Sequence, residues 1–417
     1  MDGHKKGKIL ILELYNKLFS ILICDNHILA IQAQNSDSIN TRAASSIGNI
    51  YVGRVKNVSV NIGAAFVEIQ KGELAFLPLE EAGNAILINR KPDGTIKAGD
   101  ELIVQLVKEP VKTKLAGVSA GLSLSGSYVV VKNRNADMAY GKEEENEKIE
   151  SPGNVEVSSK LGKKYHNIYK NLEPLKEIAK RFDIIVRTNA ACVEETSVVV
   201  SEAESLALQM ERILNIANKR TCFSCLYQSE TEYLKFIKNC YQSEYDEIVT
   251  DEREIYETLL AGNGFDTSLT RYYEDGMLPL YKLYSIETRI KELLNKKIYL
   301  NSGAYLVIEQ TEALTAIDVN TGKYETKKNQ EETYLKINLE AAQAIAIALR
   351  ARNLSGMILV DFINMKKKEH TEQLIEYMRS LLKKDPIPAQ VVDITGLGLM
   401  EITRKKKSKS FAEQMKS

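Results

Sequence analysis

From residue 297 onward, apolar runs of strand length alternate with long helical patterns, and that alternation limits the fold more than any other feature. The runs "KIYLNS", "AYLVIEQ" and "ALTAIDV" precede a helical stretch over 331–352. The run "MILVDF", a second helical stretch over about 367–384 and the run "AQVVDIT" follow. Strands that alternate with helices build an α/β layer, in which strand ends gather at one edge of a sheet. Two of these runs end in aspartate: Asp318 in "LTAIDVNTG" and Asp361 in "GMILVDFINM", each followed shortly by an asparagine, Asn320 and Asn364. Among Leu314, Ala316, Ile317 and Val319, Asp318 is expected to be a buried charge, which requires a partner because an unpaired buried carboxylate is costly. With one helix between them, the two aspartates can be neighbours at the sheet edge.

Carboxylates brought together repel, which favours a shared proton or a bound cation. Oxygen ligands without a Cys/His cluster suit a hard ion, Mg²⁺ or Mn²⁺, of the kind that polarises a phosphodiester and activates water. A plainer reading stands beside this one: "DVNTG" also suits an Asx-type turn. The runs "MKKKEH" (365–370) and "TRKKKSK" (403–409) offer charge to a polyanion, or are simply solvated faces.

Upstream, residues 8–33 read as two or three strands in a meander. Residues 50–108 hold five short strands with glycine-marked turns, the pattern of a small barrel such as an OB fold. Phe66 ("AAFVEI") and Phe76 ("LAFLPL") fall on adjacent strands of that set, either sharing a face that stacks bases or lying in its core. Residues 133–156 are polar and read as a solvated loop. Helical periodicity over 158–181 and 202–219 flanks the strand "DIIVRTNA", and another helix falls near 283–296.

At 417 residues the chain is long enough for two to four units. Its formal net charge of zero confines any nucleic-acid site to a local patch. Glu13, Asn16 and Lys17 interrupt the apolar N-terminal stretch, so no membrane span is expected and a cytoplasmic location is. Five scattered cysteines, at 24, 192, 222, 225 and 240, are not a disulfide framework, and the Cys222–Cys225 pair lacks a second pair for zinc. The four histidines stand apart in sequence, which leaves a histidine-based mechanism little support.

The stretches "SGAYLVIEQTEALTAIDVNTGKY", "NLEAAQAIAIALRARNLSGMILVDFINM" and "TGLGLMEITRKK" resemble the ribonuclease E/G family of bacterial endoribonucleases in order and spacing. The similarity is strongest from about 280 to 406, clear at 48–80 and weak from 133 to 220. It implies an α/β multidomain fold. An RNase-H-like subdomain (1–46 and 223–293) is split around an OB-fold RNA-binding module (47–124) and a 5′-sensor region (125–222). A deoxyribonuclease-I-like catalytic subdomain (294–405) and a basic tail (406–417) follow. The resemblance places metal binding on Asp318 and Asp361, with Asn320 as the third catalytic residue. It puts RNA binding on Phe66, Phe76 and Lys114, and contacts to a 5′-monophosphate on Gly126, Val130, Arg187 and Thr188.

Two departures qualify that pattern. "TKLAGVSAGLSL" lacks an arginine the family carries there, so strict 5′-monophosphate dependence is not expected. "TRKKKSKSFAEQMKS" lacks the family's Cys-Pro-x-Cys zinc link, so neither structural zinc nor a homo-oligomer joined through such a link is expected. The implied activity is Mg²⁺-dependent hydrolysis of single-stranded RNA to 5′-phosphate and 3′-hydroxyl ends, in RNA processing and decay. The alternatives are an RNA-binding protein with weak or no catalysis and a metal phosphatase built on the same acidic pair.

Overall fold

Strands Gly7–Leu14, Lys17–Cys24 and His27–Asn35 form the expected N-terminal meander. The first hairpin turns on Tyr15 and Asn16, both at positive φ, the two-residue turn whose twist matches that of its strands. The computed structural model describes residues 6–25, 27–36, 46–110, 115–134, 154–193, 195–262, 265–322 and 330–416. It divides into one unit of residues 1–37 and 239–417 and another of residues 38–238.

In the first unit the meander gains two strands from far along the chain. Tyr245–Thr250 pairs parallel to Gly7–Leu14, with Ile9 opposite Ile248 and Ile11 opposite Thr250, and Thr270–Tyr272 adds outside it. The segment 38–238 is therefore an insertion within a sheet begun by the first residues. The strand at 245–250 was not foreseen from "YDEIVT", whose acidic residues mask its buried Ile248, Val249 and Thr250.

The same unit holds a second sheet. Among the described residues its order is Lys297–Tyr299, Tyr305–Gln310, Leu314–Asn320, Gly356–Asp361, Met400–Arg404, Ala389–Ile394. Only the third and fourth strands are parallel, and helix Gln330–Ala351 makes the crossover between them. That helix buries Ile337, Ala341, Ala342, Ile345, Ala348 and Leu349, an i, i+4, i+8 stripe whose alanines permit close approach to the sheet. With helix Lys368–Leu382 it covers one face, over Leu306, Ile308, Ile317, Val360 and Ile402. The crossover helix stops at Asn353, in the left-handed region, and the Leu354 N–H donates to the Leu349 carbonyl at 3.0 Å.

The strand Met400–Arg404, also unforeseen, inserts beside the Asp361 strand and is anchored by Arg404. This buried guanidinium donates to Asp385 Oδ2 at 2.7 Å and to Asn353 Oδ1 at 2.9 Å. Residues 406–417, expected as a basic tail, include a short helix, Phe411–Lys416. Phe411 is fully buried against the first sheet because its ring fills the core around Phe19, Ile21 and Ala351.

In the second unit, five strands close into a barrel in the order Ile50–Ser59, Ala64–Gln70, Glu73–Pro78, Ala116–Ser119, Glu101–Lys108 and back to Ile50–Ser59. All neighbours are antiparallel except the third and fourth in that order. This is the OB-like barrel expected from the strand pattern, except that its fifth strand, Ala116–Ser119, lies beyond the 50–108 span in which all five were expected. At Gly53 an added Cβ would lie 2.5 Å from Val67 Cγ1, so a larger residue there would have to push that side chain aside. Beyond the barrel, strands Val155–Val157, Phe182–Val186, Val129–Asn133 and Ser123–Ser125 form a sheet. The helix expected over 158–181 is instead two short ones, Lys163–Lys170 and Glu173–Ala179, because Pro174 starts a new helix and cannot continue the old one. The long helix after them begins at Thr196.

Candidate active site

The two aspartates are direct partners. The parallel register runs from Leu314 opposite Met357 to Asp318 opposite Asp361, which sets their backbones about 4.8 Å apart with both side chains on one face. That face is the open one. Along the Asp318 strand Thr315, Ile317 and Val319 are buried while Ala316 and Asp318 are exposed, a period of two. The expectation of a buried Asp318 is therefore corrected: its apolar neighbours point the other way. Two exposed carboxylates this close repel, which a shared proton or a bound cation would relieve.

Asn320 lies two residues on, on the same face, and its Nδ2 donates to Asp318 Oδ2 at 2.7 Å. An amide nitrogen carries two hydrogens, so one remains for a second acceptor.

The chain leaving Asp361 is held by two polar residues that the sequence reading missed. Asn338, fully buried on the crossover helix, donates to the Ile363 carbonyl at 2.8 Å and accepts from the Ile363 N–H at 3.0 Å. Glu331, at the start of that helix, accepts from the N–H groups of Lys366 and Lys367, each at 2.8 Å. Neither could be found without knowing that this helix packs beside that loop.

Among the described residues, no group of three or more His, Cys, Asp or Glu side chains could hold a metal ion. A pair of carboxylates lacks the Cys and His donors typical of a structural zinc site. It does suit Mg²⁺, which keeps several waters and takes phosphate oxygens beside one or two carboxylates.

On the barrel, Phe66 and Phe76 stand directly opposite each other across adjacent strands. Their neighbours Ala65, Val67, Ala75 and Leu77 are buried, whereas Phe66 is half-buried and Phe76 is 37% exposed. Both rings thus lie on the outer face. Lys114 lies outside the described residues.

Gly126, Val130, Arg187 and Thr188 lie on or beside the paired strands Val129–Asn133 and Phe182–Val186. The Arg187 guanidinium donates to the Gly126 carbonyl, and the Arg187 backbone N–H donates to the Tyr128 carbonyl at 2.7 Å. Val130 sits opposite Ile185, and the Thr188 and Ser158 hydroxyls are 3.0 Å apart. An unforeseen anion lies among them. The Glu202 carboxylate accepts from the N–H groups of Ser127, Tyr128 and Val129 at 2.7, 2.7 and 2.9 Å. A Cβ on Gly126 would come within 2.5 Å of both carboxylate oxygens, so a larger residue there would displace the carboxylate from its place. Burial pushes the Glu202 pKa above the ordinary carboxylate value, although the three N–H groups pull it down. Cys222 and Cys225 are free thiols, and Cys225 merely opens a short strand that pairs with the barrel.

A sheet face with paired carboxylates and a barrel with outward aromatic rings describe a class, the nucleic-acid hydrolases. The family model described as "Ribonuclease E/G family" matches residues 149–407. Ribonuclease G of Escherichia coli (strain K12) is 31% identical over 379 residues, covering 88% of this chain and 74% of that protein. Ribonuclease G of Haemophilus influenzae is 29% identical over 378 residues, covering 88% and 73%. Ribonuclease E of Synechocystis sp. is 29% identical over 410 residues, covering 94% and 57%. The chain belongs to the ribonuclease E/G family.

Proposed function

We propose that this protein is an endoribonuclease that cuts single-stranded RNA to 5′-phosphate and 3′-hydroxyl ends in RNA processing and decay. The register that pairs Asp318 with Asp361 on an open sheet face carries the reading. These two side chains would hold a divalent cation, Mg²⁺ or Mn²⁺. Such a cation supplies Lewis-acid stabilisation of the phosphate and a more acidic water. Asn320 steadies Asp318 with one amide hydrogen and offers the other to a phosphate oxygen. Phe66 and Phe76 stack on bases and, with Lys114, hold the strand.

The split first sheet is the RNase-H-like subdomain of this reading, the closed barrel the OB module, and the second sheet the deoxyribonuclease-I-like catalytic subdomain. Arg187 and Thr188 would contact a 5′-terminal phosphate. With Glu202 already on the nearby N–H groups, that contact adds a modest preference and no requirement. No helix among the described residues is long and apolar enough to cross a membrane, and the proposed place of action is the cytoplasm.

The test is a gel assay of 5′-labelled single-stranded RNA with and without Mg²⁺, with chemical identification of both new ends. RNA bound tightly but left uncut under every divalent cation would make this an RNA-binding protein instead.

A further inference from the structure

The open face of the Asp318 sheet carries more than its acidic pair. Cross-strand register sets Tyr305 opposite Asn320 and Tyr299 opposite Tyr305, so one row on that face runs Tyr299, Tyr305, Asn320. The adjacent row runs Lys297, Val307, Asp318, Asp361. Tyr299 is 75% exposed, an unusual state for a large ring on a sheet. It lies 6.1 Å from the Tyr305 ring, at an interplanar angle of 52°. The Lys297 ammonium stands 4.8 Å from the Tyr305 centroid, which puts one positive charge beside the rings. Tyr305 is one strand spacing, about 4.8 Å, from Asn320, and Tyr299 is one spacing further.

We infer that Tyr299, buttressed by Tyr305 and Lys297, is a stacking shelf for the base next to the scissile phosphate of single-stranded RNA. The inference rests on the assignment of Asp318 and Asp361 as the cutting site. An aromatic face accepts any base, so the shelf tolerates sequence, and the Lys297 ammonium faces the backbone phosphate of the same nucleotide. Its work is positional: fixing one flanking nucleotide holds the phosphodiester over the acidic pair.

The experiment uses the full chain and short single-stranded RNAs, each with one abasic nucleotide at a successive position around the cut. Fluorescence anisotropy in EDTA reads binding, and cleavage in Mg²⁺ is followed in parallel. Tyr299→Ala should weaken binding by about five- to a hundredfold, and Tyr299→Trp should restore it. At a single abasic position flanking the cut, wild type and Tyr299→Ala should bind alike. Wild-type affinity in Tyr299→Ala, or the same loss at every abasic position, would overturn the shelf. So would a change of mass in solution with RNA affinity intact, which would make this face a contact between copies. Because binding is read without a cation, a wild type that cuts nothing would refute the nuclease reading and leave the stacking comparison to decide the shelf.

Discussion

Asp318 and Asp361 contribute charge and position, and a substitution can separate the two. Asp318→Asn or Asp361→Asn keeps shape and removes one anionic ligand, leaving the barrel rings untouched. Cleavage should fall by at least about a hundredfold, because several kcal/mol of transition-state stabilisation goes with the cation. RNA affinity measured in EDTA should change little. A purified mutant cutting at near wild-type rate in Mg²⁺ would remove that aspartate from the metal site.

Phe66 and Phe76 pose the opposite test, since a ring can serve packing or stacking. Their outward placement predicts that Phe66→Ala and Phe76→Ala each weaken single-stranded RNA binding by about 1–3 kcal/mol. Thermal stability should barely move, whereas a core phenylalanine would cost about 3–5 kcal/mol of unfolding free energy. A collapsed melting temperature with unchanged affinity would return both rings to the core.

At the scale of elements, the sequence was legible wherever a local pattern carried the structure. The runs at 304–310, 313–319 and 357–362 became strands, and the long periodic stretch at 331–352 became one helix, with bounds at most one residue away. The aspartate pair was legible too, but for a partly wrong reason: apolar neighbours were read as surroundings when alternation put them on the far face. Met400–Arg404 escaped because "MEITR" gains its strand character from a slot between two others. Asn338, Glu331 and Glu202 escaped because each owes its role to a partner distant in sequence. The same dependence on distant partners makes Arg404 a sensitive position. Arg404→Ala would leave Asp385 buried without its guanidinium and free the strand beside Asp361. Removing one member of a buried pair costs about 3–5 kcal/mol. Urea unfolding should show that loss, and a change below about 1 kcal/mol would mean the pair is readily replaced by water.

At the scale of the whole molecule, chain order puts the barrel rings and the acidic pair in different units. The barrel rings belong to residues 38–238, while Asp318 and Asp361 belong to the unit formed by 1–37 and 239–417. The inserted segment is continuous and has its own apolar cores, one inside the barrel and one beneath helix Thr196–Ala217. Among its described residues both cores and both sheets are built from the segment's own strands and helices, as folding alone requires. Residues 38–238 expressed by themselves should therefore melt cooperatively by circular dichroism and bind single-stranded RNA, more weakly than the full chain if the second sheet also holds the strand. They should cleave nothing at any Mg²⁺ concentration, because no part of the acidic pair is present. Cleavage by this fragment, in a preparation freed of host nucleases, would move the chemistry away from Asp318 and Asp361 altogether. A folded fragment without RNA affinity would instead move binding off Phe66 and Phe76 and onto the unit that holds the aspartates.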